Sequence, residues 1–172
     1  GDNAGKSYLF LGASIAAGGT FALSAADASF VGENQQDLSG ISVASAGDVD
    51  GDGLSDLLIG ANGNDDGGTG AGKSYLFLGS SIASGGTFAL SAADASFVGE
   101  NASDFSGSSV SSAGDVDGDG LSDLLIGAYQ NDDGGDNAGK SYLFLASSIA
   151  SGGTFALSAA DASFVGQGQG GS

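Results

Sequence analysis

Cysteine, histidine, proline, methionine and tryptophan are absent from this chain of 172 residues, and its 3 basic residues face 21 acidic ones. Without cysteine or histidine there is no disulfide, no soft zinc or copper site and no imidazole acid or base. The net charge of −18 repels nucleic acid phosphates and anionic lipid surfaces. We therefore expect a protein that is not an enzyme, binds no nucleic acid, does not insert directly into membranes and attracts cations.

Long apolar runs are also missing, since no stretch approaches the roughly 18 residues of a membrane-spanning helix. The first three residues, Gly-Asp-Asn, lack a signal-peptide pattern, which we expect of a processed or excised chain. The apolar content of 41% is nevertheless too high for a disordered acidic tail. We expect the chain to fold.

Internal repeats dominate the sequence. The segment AGKSYLFL begins at Ala4, Ala71 and Ala138, and GDVDGDGLSDLLIGA begins at Gly47 and Gly114, so both recur every 67 residues. The first two copies differ at 11 of their 67 positions, and the remaining residues repeat the first half of the unit. The chain therefore contains two repeats and about half of a third.

Each repeat has four short apolar segments separated by Gly, Asn, Asp and Ser, which is typical of β-structure. We expect Ser7–Leu11 to pair with Thr20–Leu23, and Ala28–Val31 is expected to continue the same strand segment. Ile41–Val49 is expected to pair with Leu57–Ala61, whose continuous apolar run favours burial on both faces. The segment LSAADASF at 23–30, which overlaps the end of Thr20–Leu23 and most of Ala28–Val31, also permits a helical turn.

The predicted fold class is all-β, with tandem four-stranded β-propeller-type blades. Four strands in a unit of about 40–70 residues are typical of such a blade. A blade has two apolar faces, so one unit needs neighbours on both sides to bury its core. About two and a half blades cannot close a ring.

An acidic loop carries the chemistry of each full repeat, and its sequence DVDGDGLSD predicts a calcium site. Alternating carboxylates repel one another unless a hard cation holds them, and the glycine at position 6 allows the sharp turn that directs them to one point. We expect two Ca²⁺ per chain. The predicted ligands are the side chains of Asp48, Asp50, Asp52, Asp56, Asp115, Asp117, Asp119 and Asp123 and the carbonyls of Leu54 and Leu121.

Other loop types fit less well. An EF-hand has a glutamate at position 12, whereas this loop has Ile59 or Ile126 there, inside an apolar strand. An all-oxygen ligand set on a flexible loop favours Ca²⁺ over Mg²⁺ and excludes zinc. The remaining alternative is a solvated Asp/Gly turn without metal.

At these residues the unit resembles the FG-GAP repeat of integrin α-subunit β-propellers and related bacterial extracellular proteins. Phe105-Ser106-Gly107 is similar to the FG half of that repeat, and Ile126-Gly127-Ala128 is similar to the GAP half. Leu38 replaces the phenylalanine in the first copy. Asn62 and Tyr129 stand where the family usually has proline, which leaves the calcium loop unaffected.

The resemblance implies that SVASAGDV is the innermost strand of a blade, LLIGA the second, SYLFL the third and the TFAL to SFV segment the outermost. It divides the chain into an outer half-blade (1–32), two full blades (33–99 and 100–166) and a tail (167–172). Seven of the 11 differences between copies lie in two loops that this arrangement places opposite the calcium hairpins. In integrins that face recognises ligands, so by resemblance it is the candidate binding surface; the alternative explanation of the differences is neutral loop drift.

Three weaker signals recur with the repeat. The turns at 64–67 and 131–134 are either exposed acidic turns or a second cation site. The lysines are expected to be solubilising or edge-protecting surface charges, and an aspartate inside each LSAADASF segment is expected to cap a turn. These residues are Lys6, Lys73 and Lys140, and Asp27, Asp94 and Asp161.

Two functions follow as hypotheses. The first is a non-enzymatic, calcium-stabilised module for adhesion or binding, secreted or at a bacterial cell surface, with an extracellular protein or glycan as ligand. The alternative is a structural subunit that assembles with copies of itself into a ring or fibre, because incomplete blades leave strand edges uncovered. Such assembly is expected through strand addition near Ser7–Leu11 and Ser141–Leu145, or through blade faces at Val43, Val110, Leu57, Leu58, Leu124 and Leu125.

Overall fold

A computed structural model describes residues 3–168, so most of the tail assigned to 167–172 lies outside the described residues. This part of the chain is all-β, with twelve strands and two short helices. The strands are β1 (Lys6–Leu9), β2 (Ala28–Val31), β3 (Ser42–Gly47), β4 (Asp56–Ala61), β5 (Lys73–Phe77), β6 (Gly86–Ala89), β7 (Ala95–Val98), β8 (Ser106–Gly114), β9 (Asp123–Ala128), β10 (Lys140–Phe144), β11 (Gly153–Ala156) and β12 (Ala162–Val165).

Helical structure is confined to short segments. The helices α1 (Gly79–Ile82) and α2 (Ala146–Ile149) each form a single turn after the third strand of a full repeat. Turns of 3₁₀-helix cover Leu23–Ala25, Leu90–Ala92 and Leu157–Ala159. The helical alternative for LSAADASF is therefore correct for its first three residues, and the rest of that segment leads into a strand.

The strands form three open sheets. Their orders are β1-β2-β6, β11-β7-β5-β4-β3 and β12-β10-β9-β8, and none of them is closed. Within each full repeat the order matches the one that the resemblance implied, from SVASAG at one edge through LLIGA and SYLFL to ASFV. The four-stranded, antiparallel part of each of the two larger sheets fits a propeller-type blade.

The expected pairing of Ser7–Leu11 is confirmed for the Ala28–Val31 part of its predicted partner and is wrong for the Thr20–Leu23 part. β1 pairs instead with β2, placing Tyr8 opposite Ser29. The equivalents of Thr20–Leu23 in the full repeats are β6 and β11, which pair in parallel with β2 and β7 of the preceding unit. We call β6 and β11 the bridging strands, because each joins the sheet of the unit before its own.

The core lies at the junctions between units. One buried cluster joins the half-blade to the first full blade and includes Phe30, Tyr75 and Phe77. The other joins the two full blades and includes Phe97 and Phe144. Each unit thus buries its apolar face against the next, as expected for repeats that have no core of their own.

The apolar run of the second strand is buried as its sequence predicts. In β4, both Leu58 and Ile59 are buried although they point to opposite faces of the sheet. Leu58 and Leu124 are inaccessible inside the chain, so the expectation that they contact another chain is wrong. Val43 on β3 remains exposed.

Across residues 3–168, the structure contains no helix with the length and apolar character needed to cross a membrane.

Candidate metal centres

The acidic loops connect the first two strands of each full blade, β3 to β4 and β8 to β9. Their shape depends on glycine, because Gly53 and Gly120, at position 6, have φ of 85° and 93°. Side chains with a Cβ rarely adopt this left-handed conformation. The turn at position 6 therefore forms as the sequence predicts.

Three carboxylates converge in each loop. Carboxylate oxygens of Asp48, Asp50 and Asp56 all lie within 4.8 Å of one another. The second loop repeats this arrangement with its carboxylates at positions 1, 3 and 9, which are Asp115, Asp117 and Asp123. Six of the eight predicted side-chain ligands are thus brought together in two equivalent groups.

The carboxylate at position 9 anchors the loop to its blade. Asp56 is fully buried, and its two oxygens accept hydrogen bonds from the backbone N–H groups of Val49 at 2.7 Å and Gly79 at 2.8 Å. Asp123 is bonded in the same way to Val116 and Ala146. The loop is thereby tied to the start of α1 or α2.

The carboxylate at position 1 organises the turn. Asp48 accepts hydrogen bonds from the N–H groups of Gly51 and Gly53 at 2.8 and 2.9 Å. Asp115 makes the equivalent bonds in the second loop. The donors to these carboxylate oxygens are neutral backbone N–H groups and not lysine ammonium groups. The hydrogen bonds therefore fix the shape of the loop without cancelling its negative charge.

Position 5 differs from the other predicted ligands. Asp52 accepts a hydrogen bond from the N–H of Leu54 at 2.7 Å and does not belong to the group of three carboxylates. Asp119 does the same with Leu121 at 2.8 Å. Ligation by these two aspartates and by the carbonyls of Leu54 and Leu121 stays a prediction.

The electrostatics of the first loop favour a bound cation. Burial raises the pKa of Asp56, two backbone hydrogen bonds lower it, and the nearby charges of Asp50 and Asp52 raise it again, so that the net shift is upward. The negative charges on the loop therefore destabilise one another. A divalent cation among the three carboxylates would remove this repulsion.

The donor set fits Ca²⁺. The converging atoms are carboxylate oxygens, which hard cations prefer, and three close carboxylates on a glycine-rich turn match the ligand chemistry of calcium loops. The residues that would hold the ion are the carboxylates at positions 1, 3 and 9 of each loop. Bound calcium would supply charge neutralisation and would fix the hairpin between the first two strands of the blade.

The acidic turns at 64–67 and 131–134 hold a different cation, which is a lysine of the same chain. The Lys73 ammonium lies 2.7 Å from Asp66 and 3.2 Å from Glu33. Lys140 pairs likewise with Asp133 and Glu100. The lysine side chains are 9% exposed, so the expectation of surface charges is wrong for these two, while Lys6 is exposed as expected.

Sequence reasoning missed this network because its members are 7 and 40 residues apart. The signal that could have found it is the recurrence of Glu33 and Asp66 with Lys73 in each full repeat. Beside the network, Asn64 is buried and donates to the buried Asp37 at 3.1 Å. These polar contacts tie the loop before each blade to the loop between its second and third strands.

The aspartates of the LSAADASF segments cap turns, as the sequence predicts. Asp94 accepts hydrogen bonds from the N–H of Leu78 and the hydroxyl of Ser81, both at 2.8 Å, which closes the start of α1. Asp161 does the same at α2. In the half-blade, a hydrogen bond from Ser14 and another from the backbone of Leu11 lower the pKa of Asp27.

The comparisons with known proteins agree with this architecture. Residues 39–77 and 106–144 each match the FG-GAP repeat family. Each match starts at or just before the first strand of a full blade, includes the whole acidic loop and ends with the third strand. No match was found among curated proteins.

Proposed function

We propose that this chain, which contains FG-GAP repeats at residues 39–77 and 106–144, is a calcium-stabilised, non-enzymatic module for extracellular binding or adhesion. FG-GAP repeats are typical of extracellular and surface proteins, and the family is typically non-enzymatic. Weak calcium loops are filled at the millimolar calcium of extracellular fluids, because their Kd values are about 10⁻⁴–10⁻³ M. The chemistry of the loops is therefore suited to the cell exterior.

One observation carries the proposal, which is the same three-carboxylate group formed twice at equivalent positions. A solvated acidic turn would gain nothing from holding like charges together. Here the backbone hydrogen bonds and the buried aspartate at position 9 hold the three carboxylates close. Such an arrangement is stable with a divalent cation and strained by repulsion without one.

The test is calcium binding measured together with stability. Isothermal titration of the metal-free protein should give two sites per chain, and the melting temperature should fall in excess EDTA because the bound ion stabilises only the folded state. Titration with magnesium is the control and should give weaker binding. Superimposable melting curves in EDTA and in millimolar calcium would contradict the proposal.

The binding surface that we propose is the end of the blades opposite the calcium hairpins. The antiparallel strand order puts the loops after β4 and β7 at that end. The first copy's loops meet there, with Gly63 N–H donating to the carbonyl of Asp37 at 3.1 Å. Most differences between the copies lie in these loops, and the proposed ligand is an extracellular protein or glycan.

A second candidate function is self-assembly as a structural subunit. It is favoured by one observation, namely that the sheets of residues 3–168 are open and that Phe164 and Val165 on the edge strand β12 are exposed. An uncovered apolar edge strand is a template for pairing with another chain. Sedimentation at increasing protein concentration in calcium tests it, and a species that stays at 16.3 kDa would contradict it.

A further inference from the structure

We propose that the Thr20–Leu23 segment of one copy adds as a parallel strand to the outer edge of β12 of another copy. The inference rests on the second candidate function, self-assembly, and names the two surfaces that join. It is independent of calcium binding. The same strand-to-strand contact forms twice within the chain. The acceptor edge and the donor segment that a third such contact would need are both exposed.

The two internal contacts are equivalent residue by residue. In the first, β2 and β6 place Ser29 opposite Thr87 and Phe30 opposite Phe88. In the second, β7 and β11 place Ser96 opposite Thr154 and Phe97 opposite Phe155. The paired hydroxyl oxygens are 3.2 and 3.1 Å apart. The recurrence of the same register and the same side-chain contacts defines a reproducible joint.

A group of three aromatic rings completes each joint. Phe30 lies 5.0 Å from Phe77 and 5.6 Å from Phe88, between ring centroids. At the next joint, Phe97 lies 4.8 Å from Phe144 and 5.8 Å from Phe155. In each group one ring comes from the acceptor strand and two rings come from the following unit.

The acceptor half of a third joint is uncovered at β12. The sequence from Gly18 to Gly32 recurs without change from Gly152 to Gly166, so β12 has the same side chains as β2 and β7. Yet Phe164 is 58% exposed, whereas Phe30 and Phe97 are 1% and 0% exposed. In the described part of the chain, β12 has β10 on one side and no strand on the other.

The donor half is uncovered in the half-blade. Phe10 and Phe21 lie 6.2 Å apart, matching the 6.2 Å between Phe77 and Phe88, and they have no third ring. Leu23 is 57% exposed, whereas its equivalents in the full repeats are 1% exposed. Residues 20–22 are not in a strand, although the same sequence forms β6 and β11.

The donor backbone is already arranged for pairing. Gly18 and Gly19 have φ of 68° and 115°, close to the 66° and 109° of Gly85 and Gly86 before β6. The 3₁₀ turn at Leu23–Ala25 follows the segment, as it follows both bridging strands. A segment held in its bound conformation loses little entropy on binding. The donor therefore needs only an acceptor edge.

A second copy is the occupant because it carries the donor with the right sequence and shape. By analogy with the internal joints, Ser163 would lie opposite Thr20 of the second copy and Phe164 opposite its Phe21. The four-stranded sheet ending in β12 would become five-stranded, like the sheet one unit earlier. Donor and acceptor lie on different surfaces, so the contact is head-to-tail and can continue from copy to copy.

The first test mixes two variants that each lack one half of the joint. Phe164→Asp removes the acceptor and Phe21→Asp removes the donor, and both residues are exposed enough for the fold to survive, as circular dichroism will check. Each variant alone should sediment as a monomer in millimolar calcium and 150 mM salt. An equimolar mixture should form a 1:1 dimer and nothing larger, because only one intact donor and one intact acceptor remain.

Ser80→Asp is the matched control, since Ser80 and its equivalents Ala13 and Ser147 are all exposed. Neither internal joint covers this position, so the substitution should leave assembly unchanged. If wild type stays monomeric at every concentration, both self-assembly and this joint are wrong. If both phenylalanine variants still assemble alone, or if Ser80→Asp abolishes assembly, self-assembly stands and the joint is wrong. Calcium titration of the same variants should still give two sites, which separates this outcome from failure of the metal proposal.

A second test leaves both phenylalanines in place. The chain has no cysteine, so Ser163→Cys and Thr20→Cys each introduce a single thiol. Hydroxyl spacings of 3.1–3.2 Å at the internal joints place such thiols within reach of a disulfide. Oxidation of the mixture should give the mixed dimer in excess over the homodimers. A mixture of Ser163→Cys and Ser80→Cys should not, and equal cross-linking in both mixtures would overturn the joint.

Discussion

At the scale of single residues, the six converging aspartates have two separate tasks. Asp56 and Asp123 are buried and accept hydrogen bonds from backbone N–H groups of their own loop and of the start of a helix, so their loss would damage the fold itself. Asp50 and Asp117 are exposed, and their backbone contacts stay within the loop. Position 3 is therefore where metal binding can be probed with the least effect on packing.

Asp50→Asn should weaken calcium binding at one of the two sites while leaving the circular dichroism spectrum unchanged. An amide lacks the negative charge that draws the ion, but it keeps the shape of the side chain. Isothermal titration measures the result, and Asp136→Asn, an exposed acid outside both groups, is the control that should retain two sites. Two sites of unchanged affinity in Asp50→Asn would show that the charge of Asp50 does not contribute to calcium binding.

Lys73→Met should lower the free energy of unfolding by about 1–3 kcal/mol, because it removes charged hydrogen bonds to Glu33 and Asp66. Lys6→Met, at the equivalent position of the half-blade, is the matched control. Lys6 makes no ion pair within residues 3–168, so its substitution should change stability by less than about 0.5 kcal/mol. Urea unfolding compares the two, and equal effects would show that the network contributes nothing specific.

At the scale of elements, the sequence predicts where the strands lie but does not predict which strands some of them pair with. The 67-residue period and the apolar run of LLIGA predicted the strands of a blade, whereas their order was implied only by the resemblance to the FG-GAP repeat. The partner of the TFAL strand was not predictable, because alternation of side chains defines a strand but not the unit to which it binds. The buried lysines were missed for a similar reason, since their partners come from distant loops.

Identical segments therefore differ in structure because their neighbours differ. Leu90→Ala should destabilise the protein by about 2–5 kcal/mol, since it leaves a cavity in a buried cluster. Leu23→Ala removes the same atoms from the same local sequence at an exposed site, and in dilute solution its effect should stay within about 0.5 kcal/mol. Chemical unfolding of both variants provides the comparison, and equal losses would contradict the cross-unit placement of the bridging strands.

At the scale of the whole molecule, stability should decrease as pH rises above about 10. Burial alone lowers the pKa of Lys73, but hydrogen bonds to Asp66 and Glu33 outweigh it, so the pKa lies above the ordinary 10.5. Burial raises the pKa of Tyr75 above its ordinary 10.0, and the charge of Glu33 adds to the shift. The pKa values of Lys140 and Tyr142 in the second full blade are raised in the same way, with Glu100 as the shared acidic neighbour. The folded state therefore binds more protons than the unfolded state in this range.

The sign follows from this proton excess, because stability falls with pH wherever the folded state holds more protons. The lysine contribution is fully present below pH 10.5, the ordinary pKa, and is lost as pH rises through the raised value. Melting temperatures measured from pH 8 to 12 should decline steadily above pH 10. In Lys73→Met the decline should be shallower, and an identical slope would contradict the assignment.

The pairing of the bridging strands also determines how long a strand edge stays unpaired during synthesis. Each acceptor strand leaves the ribosome before the strand that covers it, and Gly86 of β6 follows Val31 of β2 by 55 residues. At about 5–20 residues per second, the outer edge of each new blade stays open for roughly 3–11 seconds. During that interval it can capture a neighbouring nascent chain, because the sequence it awaits is identical on every copy. If the proposed joint forms, we expect slower translation along these 55 residues to lengthen the interval in which a neighbouring nascent chain can pair with this edge.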